Sequence, residues 1–340
     1  MLYRHTRRGI FAVIFLLMMG PTACSPGRTS GEGKPLVLYS GRAESLVGPL
    51  IEAFERSHGV EVDVRWGNTS ELAATLLEEG ENSPADVFFA QDPGGLGAVI
   101  EMLAPLPEEI TTQVDPKYRA PNGEWVGVSG RSRTIVYNTE SLQQDDVPRS
   151  LEDLTDPVWK GRIGWAPTNS SFQTMVTAMR VMWGEEATSD WLVRLLENDP
   201  AAFDNNTAIV AAVGAGEIDL GLVNHYYLYR FLEEEGEDFP AQNLFLSDGG
   251  PGSIVLVAGV GRLASSKNVA QADELIQYLL SSEAQEFFSS ETNEYPLAAG
   301  ILPTSDLPPL DQLNAPGIDL TDLEDLRGTV ELLQEVGALP

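Results

Sequence analysis

The sequence contains few basic residues, histidines or cysteines. It has 21 lysines and arginines against 51 acidic residues, which gives a formal net charge of −30. A surface this acidic repels phosphate backbones, which argues against nucleic acid as a partner. Beyond the N-terminal stretch only His58 and His225 remain, too few for a histidine-rich zinc site. Neither has a clear nucleophile-and-acid partnership, and no Gly-x-Ser-x-Gly elbow occurs, so the sequence argues against a hydrolase.

The excess of acid has two explanations. A solvated acidic surface would suit a salty habitat, and only four lysines accompany 17 arginines. Alternatively, the negative field attracts a multivalent cation. Net charge alone does not separate these two explanations.

The length of 340 residues exceeds what one hydrophobic core usually supports, and it predicts two compact lobes.

The N-terminus predicts export. Three arginines precede a short apolar run, Ile10 to Met19, and small residues follow. This pattern is typical of a signal peptide, here residues 1–23, and the run is too short to span a bilayer comfortably. Cys24, the single cysteine, stands where a lipoprotein signal places its acylated residue, although Pro21 departs from that motif. Residues 24–35 would then form a lipidated tether, the only membrane attachment of a periplasmic or cell-surface protein.

Strands and helices alternate along the rest of the chain. A strand at Leu36–Tyr39, an amphipathic helix, a strand at Val60–Val64, a helix ending near Gly80 and a buried strand at Ala85–Phe89 predict an α/β lobe with a largely parallel sheet. Ligands bind beyond the carboxyl ends of such strands. The loops at Ser40–Arg42 and Gln91–Gly94 are therefore expected at a ligand site.

The chain then leaves this lobe and returns to it. Trp125–Asn138 is predicted to be a strand that crosses to a second α/β lobe, and Ser253–Val260 is predicted to lead back. This order is typical of two-lobed binding proteins that close by hinge motion. We expect lobe 1 to contain residues 36–132 and 258–305, and lobe 2 to contain residues 133–257 and 306–340. Near the end, Thr321 and Glu324 predict a helix-capping box.

The segment richest in chemistry is Ile218–Tyr227. Asp219–Val223 is predicted to be a buried strand, and Tyr226 and Tyr227 follow in the loop at its carboxyl end. Adjacent side chains of a strand point to opposite faces, so both tyrosines reach one ligand only if the backbone bends or begins a helix there. A phenolate is a hard anionic ligand suited to a trivalent cation, and it needs metal or positive charge to ionise near neutrality. An aromatic core, or stacking on an organic ligand, explains the pair equally well.

Several motifs occur together in one order. They are Tyr39-Ser40-Gly41-Arg42, Ser83-Pro84-Ala85-Asp86-Val87-Phe88, Ser129-Gly130-Arg131-Ser132-Arg133, Trp159-Lys160-Gly161-Arg162-Ile163-Gly164, Asn224-His225-Tyr226-Tyr227 and Ser266-Lys267-Asn268. In this order they resemble the periplasmic ferric-ion-binding proteins of bacterial ABC transporters. The likeness runs from about Leu36 to the C-terminus.

The resemblance implies a fold, a cargo and partners. The fold would be α/β and of the two-lobed periplasmic-binding type (type II-like), with crossover strands and a cleft. The cargo would be Fe(III) held with a synergistic anion such as carbonate or phosphate. The protein would be a monomer that delivers iron to a membrane permease. Tyr226 and Tyr227 match the paired tyrosine ligands, and the anion-binding positions match Asp92, Asn169, Asn206 and Asn224. Arg131 and Arg133 would add positive charge, or else pair with carboxylates.

The chain departs from the family at two ligand positions. Ala43 and Gln91 stand where one branch has a histidine and a glutamate, so Gln91 is at best a weak metal ligand. Tyr39 is a conceivable third tyrosine, although its strand position favours packing. Arg42 could clamp a carbonate-like anion. Two tyrosines with one or two bidentate anions would then complete the coordination shell, and we expect His225 to point away from the metal.

Two other functions remain open at this point. The protein could bind a different small solute, such as an oxyanion, a polyamine or a thiamine-like cation, because tyrosine pairs also stack on organic ligands. An exported hydrolase is the second alternative, since carboxylates are abundant.

Overall fold

The computed structural model describes residues 34–303 and 307–339. The predicted signal peptide and the lipidation site Cys24 lie outside the described residues. No helix within these two ranges is long and apolar enough to cross a membrane.

The described residues form a mixed α/β structure. The strands are β1 Leu36–Ser40, β2 Val62–Trp66, β3 Val87–Ala90, β4 Leu103–Ala104, β5 Trp125–Asn138, β6 Ile163–Trp165, β7 Ala201–Ala202, β8 Leu220–Asn224, β9 Ala241–Phe245, β10 Val255–Leu263 and β11 Tyr295–Pro296. The helices are α1 Glu44–His58, α2 Thr69–Glu79, α3 Pro93–Ala98, α4 Glu108–Thr111, α5 Ser170–Trp183, α6 Glu185–Glu197, α7 Asn206–Gly214, α8 Tyr226–Glu235, α9 Val269–Leu279, α10 Ser282–Glu291 and α11 Leu326–Glu335. The predicted α/β class is confirmed.

Strand β5 joins the two halves of the sheet. Its first part, Trp125–Ser132, pairs antiparallel with β10 in the order β2-β1-β3-β10-β5. Its second part, from Arg133 to Asn138, pairs with β8 and β9. We call the two halves, with their helices, lobe 1 and lobe 2. The crossover predicted for Trp125–Asn138 is confirmed with the same bounds, and every residue of this strand is buried.

Helix ends follow local chemistry. Helix α2 ends before Gly80, whose φ of 55° favours glycine, as the sequence predicts. The predicted capping box at Thr321 and Glu324 is wrong. Those residues form a 3-10 turn, Leu320–Glu324, capped by Asp319, and the side chain of Asp325 caps α11 by accepting from the Gly328 N–H.

The C-terminal segment differs from the expected lobe boundary. Residues 306–340 were expected in lobe 2, but Leu307, Leu313, Leu320 and Leu323 pack into the core of lobe 1. Helix α11 reaches the core of lobe 2 through Leu332 and Leu333, and the apolar residues that follow it pack against the same core. The apolar side chains that precede α11 are buried against lobe 1. Residues 307–325, which we call the strap, therefore run along lobe 1 to the start of α11.

The strap lies directly on two glycines of α3. A Cβ on Gly94 would stand 2.8 Å from the Leu323 carbonyl oxygen, and a Cβ on Gly97 would stand 2.8 Å from the Thr321 carbonyl oxygen. Real Cβ atoms do not approach backbone oxygens this closely. The glycines therefore permit the close packing of the strap on the helix that follows the cleft loop Gln91–Asp92.

We expect Gly97→Ala to lower the free energy of unfolding by about 1–3 kcal/mol, because the strap must move away from α3. Gly48→Ala in α1 is the matched control, since its Cβ would meet only the Glu44 Cγ at 3.4 Å. The free energy of unfolding of Gly48→Ala should rise by up to about 1 kcal/mol, because alanine has a higher helix propensity than glycine. Denaturant unfolding of both variants measures the difference, and a Gly97→Ala protein as stable as the parent would contradict this packing.

Candidate metal and anion site

The two tyrosines lie in the first turn of α8. Strand β8 ends at Asn224, and the helix begins at Tyr226, so the sharp change of backbone direction that the sequence demands is confirmed. The two rings stack with centroids 4.4 Å apart and an interplanar angle of 28°. Both phenols therefore project from the same side of the helix, and one bound cation can contact both.

The surroundings keep the Tyr227 phenol protonated in the metal-free protein. Burial, and then the neighbouring Tyr226, raise the pKa of Tyr227 well above its usual range, while Arg230 and Arg131 act in the opposite direction. The Arg230 guanidinium lies over both rings, 5.2 Å from the Tyr226 centroid and 5.4 Å from the Tyr227 centroid. A metal ion that binds here must displace phenol protons, and Arg230 offsets part of that cost.

Arg133 is buried beside the tyrosines. Its Nη1 donates to the side-chain oxygens of Asn206, at 3.3 Å, and Asn224, at 3.1 Å. Its Nε and Nη2 have no hydrogen-bond partner within the described residues. Burial lowers the pKa of Arg133 to about 10, against the opposing effect of Tyr227 and Tyr226. An anion with two oxygens would satisfy both N–H groups of such a planar fork.

The three candidate asparagines are connected near Arg133. The Asn224 N–H donates to the Asn206 side chain at 2.9 Å, and Asn224 Nδ2 donates to Ser171 Oγ at 3.0 Å. Asn169 caps α5 by accepting from the Ser171 N–H at 3.1 Å, and Asn206 is the first residue of α7. The N-termini of α5 and α7 therefore lie near Asn224, and their dipoles favour an anion there.

Lobe 1 supplies most of the wall of an adjacent cavity, whose lining residues do not include Tyr226, Tyr227 or Arg133. A cavity of about 330 Å³ is lined by Gly41, Thr69, Gln91 and Asp92 from lobe 1 and by Ser170 from lobe 2. The Asp92 carboxylate caps α3 by accepting from the Gly95 N–H at 3.0 Å. Burial raises the pKa of Asp92 despite that bond and the nearby Arg131.

Arg131 lies among these charged groups. Its guanidinium donates to the Gln91 carbonyl oxygen. Its charge also affects the pKa values of Tyr227, His225 and Glu294. Arg131 thus places a buried positive charge between the tyrosine pair and the wall of lobe 1.

Arg42 is neutralised by a residue that sequence reasoning missed. Arg42 Nη2 lies 2.9 and 3.0 Å from the two carboxylate oxygens of Glu294, and Ser129 Oγ donates to the same carboxylate at 2.6 Å. Burial alone would raise the pKa of Glu294, but Arg42, Arg131 and Ser129 together lower it. An anion at Arg42 would have to compete with this carboxylate. One glutamate among many acidic residues gave no signal in the sequence.

The structure does not bring Tyr39 to the tyrosine pair. Its hydroxyl donates to Glu79 at 3.0 Å and accepts from Arg65 at 3.2 Å. Glu79 is the last residue of the 11-residue α2, about 15 Å along the helix from the end that lines the cleft. Tyr39 is packed, the alternative that its strand position favours.

His225 uses both ring nitrogens for protein contacts. Nδ1 accepts from the Ser132 N–H at 3.1 Å, and Nε2 lies 2.7 Å from the Asn293 carbonyl oxygen, to which it donates. Burial lowers its pKa to about 4, so the ring is neutral. A metal would have to break one of these bonds, which agrees with a ring that points away from the ligand position.

No three histidine, cysteine, aspartate or glutamate side chains in the described part of the chain come together as a metal site.

The neutral His225 predicts a pH-dependent stability. In the unfolded chain its pKa is about 6.5, and in the folded iron-free protein it is about 4. Its contribution, about 3 kcal/mol, is fully present above pH ~6.5 and is lost as the pH falls toward ~4. Denaturant unfolding across this range measures the slope. His225→Gln cannot titrate there, so a variant with the slope of the parent would contradict the assignment.

Comparison with known proteins identifies the family of this chain. The model of the bacterial extracellular solute-binding protein family matches residues 82–319. The chain is 35% identical to the Fe(3+)-binding periplasmic protein of Serratia marcescens over 308 residues. This alignment covers 89% of this chain and 90% of the relative. It is 32% identical to the major ferric iron-binding protein of Neisseria meningitidis serogroup B, covering 95% of this chain and 97% of the relative.

Solved structures give the same result. Iron-bound HitA from Pseudomonas aeruginosa superimposes with a TM-score of 0.81 and 33% identity, over 89% of this chain and 99% of HitA. Trichodesmium FutA in complex with iron and citrate ligands gives a TM-score of 0.78 and 28% identity, over 89% and 99% of the two chains. These neighbours confirm the predicted two-lobed binding-protein fold. The chain is thus a bacterial extracellular solute-binding protein of the periplasmic ferric-ion-binding family.

Proposed function

We propose that this protein captures Fe(III) in its cleft and delivers it to the permease of an ABC transporter. The observation that carries the proposal is the stacked pair Tyr226 and Tyr227 beside a buried Arg133 with two free N–H groups. The ferric-ion-binding function named for the relatives from Serratia and Neisseria supports it.

The charges favour iron together with an anion. Two phenolates leave a net charge of +1 on Fe(III), and a dianion reverses it to −1. The buried Arg133 guanidinium then faces a negative complex, and its Nε and Nη2 find acceptors. Carbonate or phosphate fits this role. Since a hard octahedral cation takes about six donors, two bidentate anions would complete the shell that Tyr226 and Tyr227 begin, and a single one would leave two positions for other oxygen donors. Citrate is a third candidate, because one solved neighbour contains it.

Each candidate residue has a place in this proposal. Asn206 and Asn224 hold Arg133 from one side, and Asn169 fixes the start of α5. Gln91 and Asp92 line the adjacent cavity on the side of lobe 1. Arg131 adds positive charge, and Arg42, paired with Glu294, sets the local charge without binding the metal. The protein would act as a binder and not as an enzyme, exported and tethered through Cys24.

We expect Tyr226→Phe and Tyr227→Phe each to weaken iron binding about 100-fold or more and to reduce the charge-transfer band, because each loses one of the two phenolate ligands. The double variant should lose the band altogether. Titration of the iron-free proteins with a ferric chelate, followed by visible absorbance, measures both effects. Tyr137→Phe is the matched control, since the Tyr137 hydroxyl donates to the Gln242 side chain in lobe 2. Full iron binding by a protein with both tyrosines replaced would refute the metal site. Tight binding of an organic solute without colour would favour the other small-solute function.

Arg133 should govern the dependence on the anion. We expect Arg133→Gln to raise the carbonate or phosphate concentration needed for half-maximal colour by about 10- to 100-fold, because a bidentate charged contact is lost. Arg133→Lys keeps the charge but not the planar fork, so its anion concentration for half-maximal colour should lie between those of the parent and Arg133→Gln. The measurement is iron titration in carbonate-free buffer with added anion. An unchanged anion dependence in Arg133→Gln would place the anion elsewhere.

A further inference from the structure

The His225 side chain connects the two lobes next to the tyrosine pair. His225 belongs to lobe 2, between the end of β8 and the start of α8. The two hydrogen bonds of its ring both go to residues of lobe 1. Ser132 is the last residue of β5 that pairs with β10, and Asn293 lies between α10 and β11. The imidazole therefore spans from one lobe to the other one residue before Tyr226.

Every polar group of His225 is held. Besides the two ring bonds, its backbone N–H donates to the Ser132 carbonyl oxygen at 3.1 Å, and its own carbonyl oxygen accepts from Asn243 Nδ2 at 2.8 Å. Its ring also packs edge-on against Tyr226, with centroids 5.8 Å apart and an interplanar angle of 88°. The ring also contacts Tyr229, Phe245 and Tyr295. These hydrogen bonds and aromatic contacts leave the residue that precedes Tyr226 little freedom to rotate.

The far end of this contact is fixed as well. Asn293 has a left-handed φ of 54°, which asparagine tolerates better than most residues. Its Nδ2 donates to Glu233 of α8 at 3.0 Å. The next residue, Glu294, holds Arg42 and Ser129 in the buried ion pair. The Asn293 carbonyl oxygen is thus presented to His225 from a rigid part of lobe 1.

We propose that His225 is a positioning residue for iron capture, which holds the start of α8 against lobe 1 so that both phenols are aligned before the metal arrives. The role rests on the proposed ferric function of Tyr226 and Tyr227. His225 is not a ligand, because both ring nitrogens are already bonded. Ligands held by surrounding hydrogen bonds lose less freedom when they bind, and the complex gains affinity from that preorganisation.

Three substitutions separate the contacts of His225. His225→Gln places an amide Nε2 near the position of the ring Nε2 and keeps the donor to Asn293. His225→Asn keeps an acceptor for the Ser132 N–H but is too short to reach Asn293. His225→Phe keeps the aromatic packing and loses both polar contacts. Each variant is compared in three measurements: the thermal midpoint of the iron-free protein, the charge-transfer band, and the rate of iron release to an excess of competing chelator.

We expect His225→Gln to release iron at nearly the parental rate and with the parental band. His225→Asn and His225→Phe should release it about tenfold faster with a shifted or broadened band, since the tyrosine geometry is no longer fixed. A merely structural role would lower the thermal midpoint and leave the band of the iron-loaded protein unchanged. The Gln variant retains the Asn293 contact and the Asn variant retains the Ser132 contact, so their comparison shows which of the two fixes the tyrosines even if the Phe variant does not fold.

Three outcomes overturn different statements. Parental release rates and bands in the Asn and Phe variants would overturn the positioning role alone. Absence of iron binding by the parent would overturn the proposed ferric function and this role with it. Full colour after both tyrosines are replaced by phenylalanine would overturn the tyrosine site, and with it this role, but not iron binding itself.

Discussion

The burial of three guanidinium groups at the crossover between lobes constrains the rest of this structure. Arg131 and Arg133 lie on β5 and Arg42 follows β1, and all three are almost completely buried. A buried charge must be paired or hydrogen-bonded. Arg42 has the Glu294 carboxylate, Arg131 has the Gln91 carbonyl oxygen, and Arg133 has only two amide oxygens. The cleft is therefore locally positive in a protein whose net charge is −30. The acidity is accordingly a property of the outer surface, and it does not form the binding site.

The same crossover explains how the lobes are connected. Strand β5 pairs with strands of both lobes, and β10 begins at Val255, opposite Ser132 of β5. Residues 320–324 of the strap pack on α3, and α11 then reaches α5. Arg180 of α5 holds the Asp325 carboxylate at 2.8 Å and the Asp325 carbonyl oxygen at 2.9 Å. The N-terminal ends of α3 and α5, which line one cavity through Asp92 and Ser170, are thus also connected through the strap.

The sequence predicted those features that depend on local pattern. Alternation and apolar content located β5 at Trp125–Asn138, and the requirement that Tyr226 and Tyr227 meet one ligand predicted the bend that α8 provides. Features that depend on distant pairing left no such pattern. Glu294 lies 252 residues from Arg42, and the role of His225 depends on a carbonyl oxygen, which no residue type reveals. The strap was assigned to lobe 2 because its leucines predict that it is buried but do not reveal which core buries it.

Within the described residues, Nε and Nη2 of Arg133 have no partner, and under the proposed function this bears on the order of assembly. A trivalent cation that arrives first would meet a buried positive charge at short range. An anion that arrives first would satisfy the guanidinium and supply oxygen donors beside the tyrosines. Capture would then be sequential, with the small anion before the iron, and the rate of metal uptake would depend on the supply of that anion.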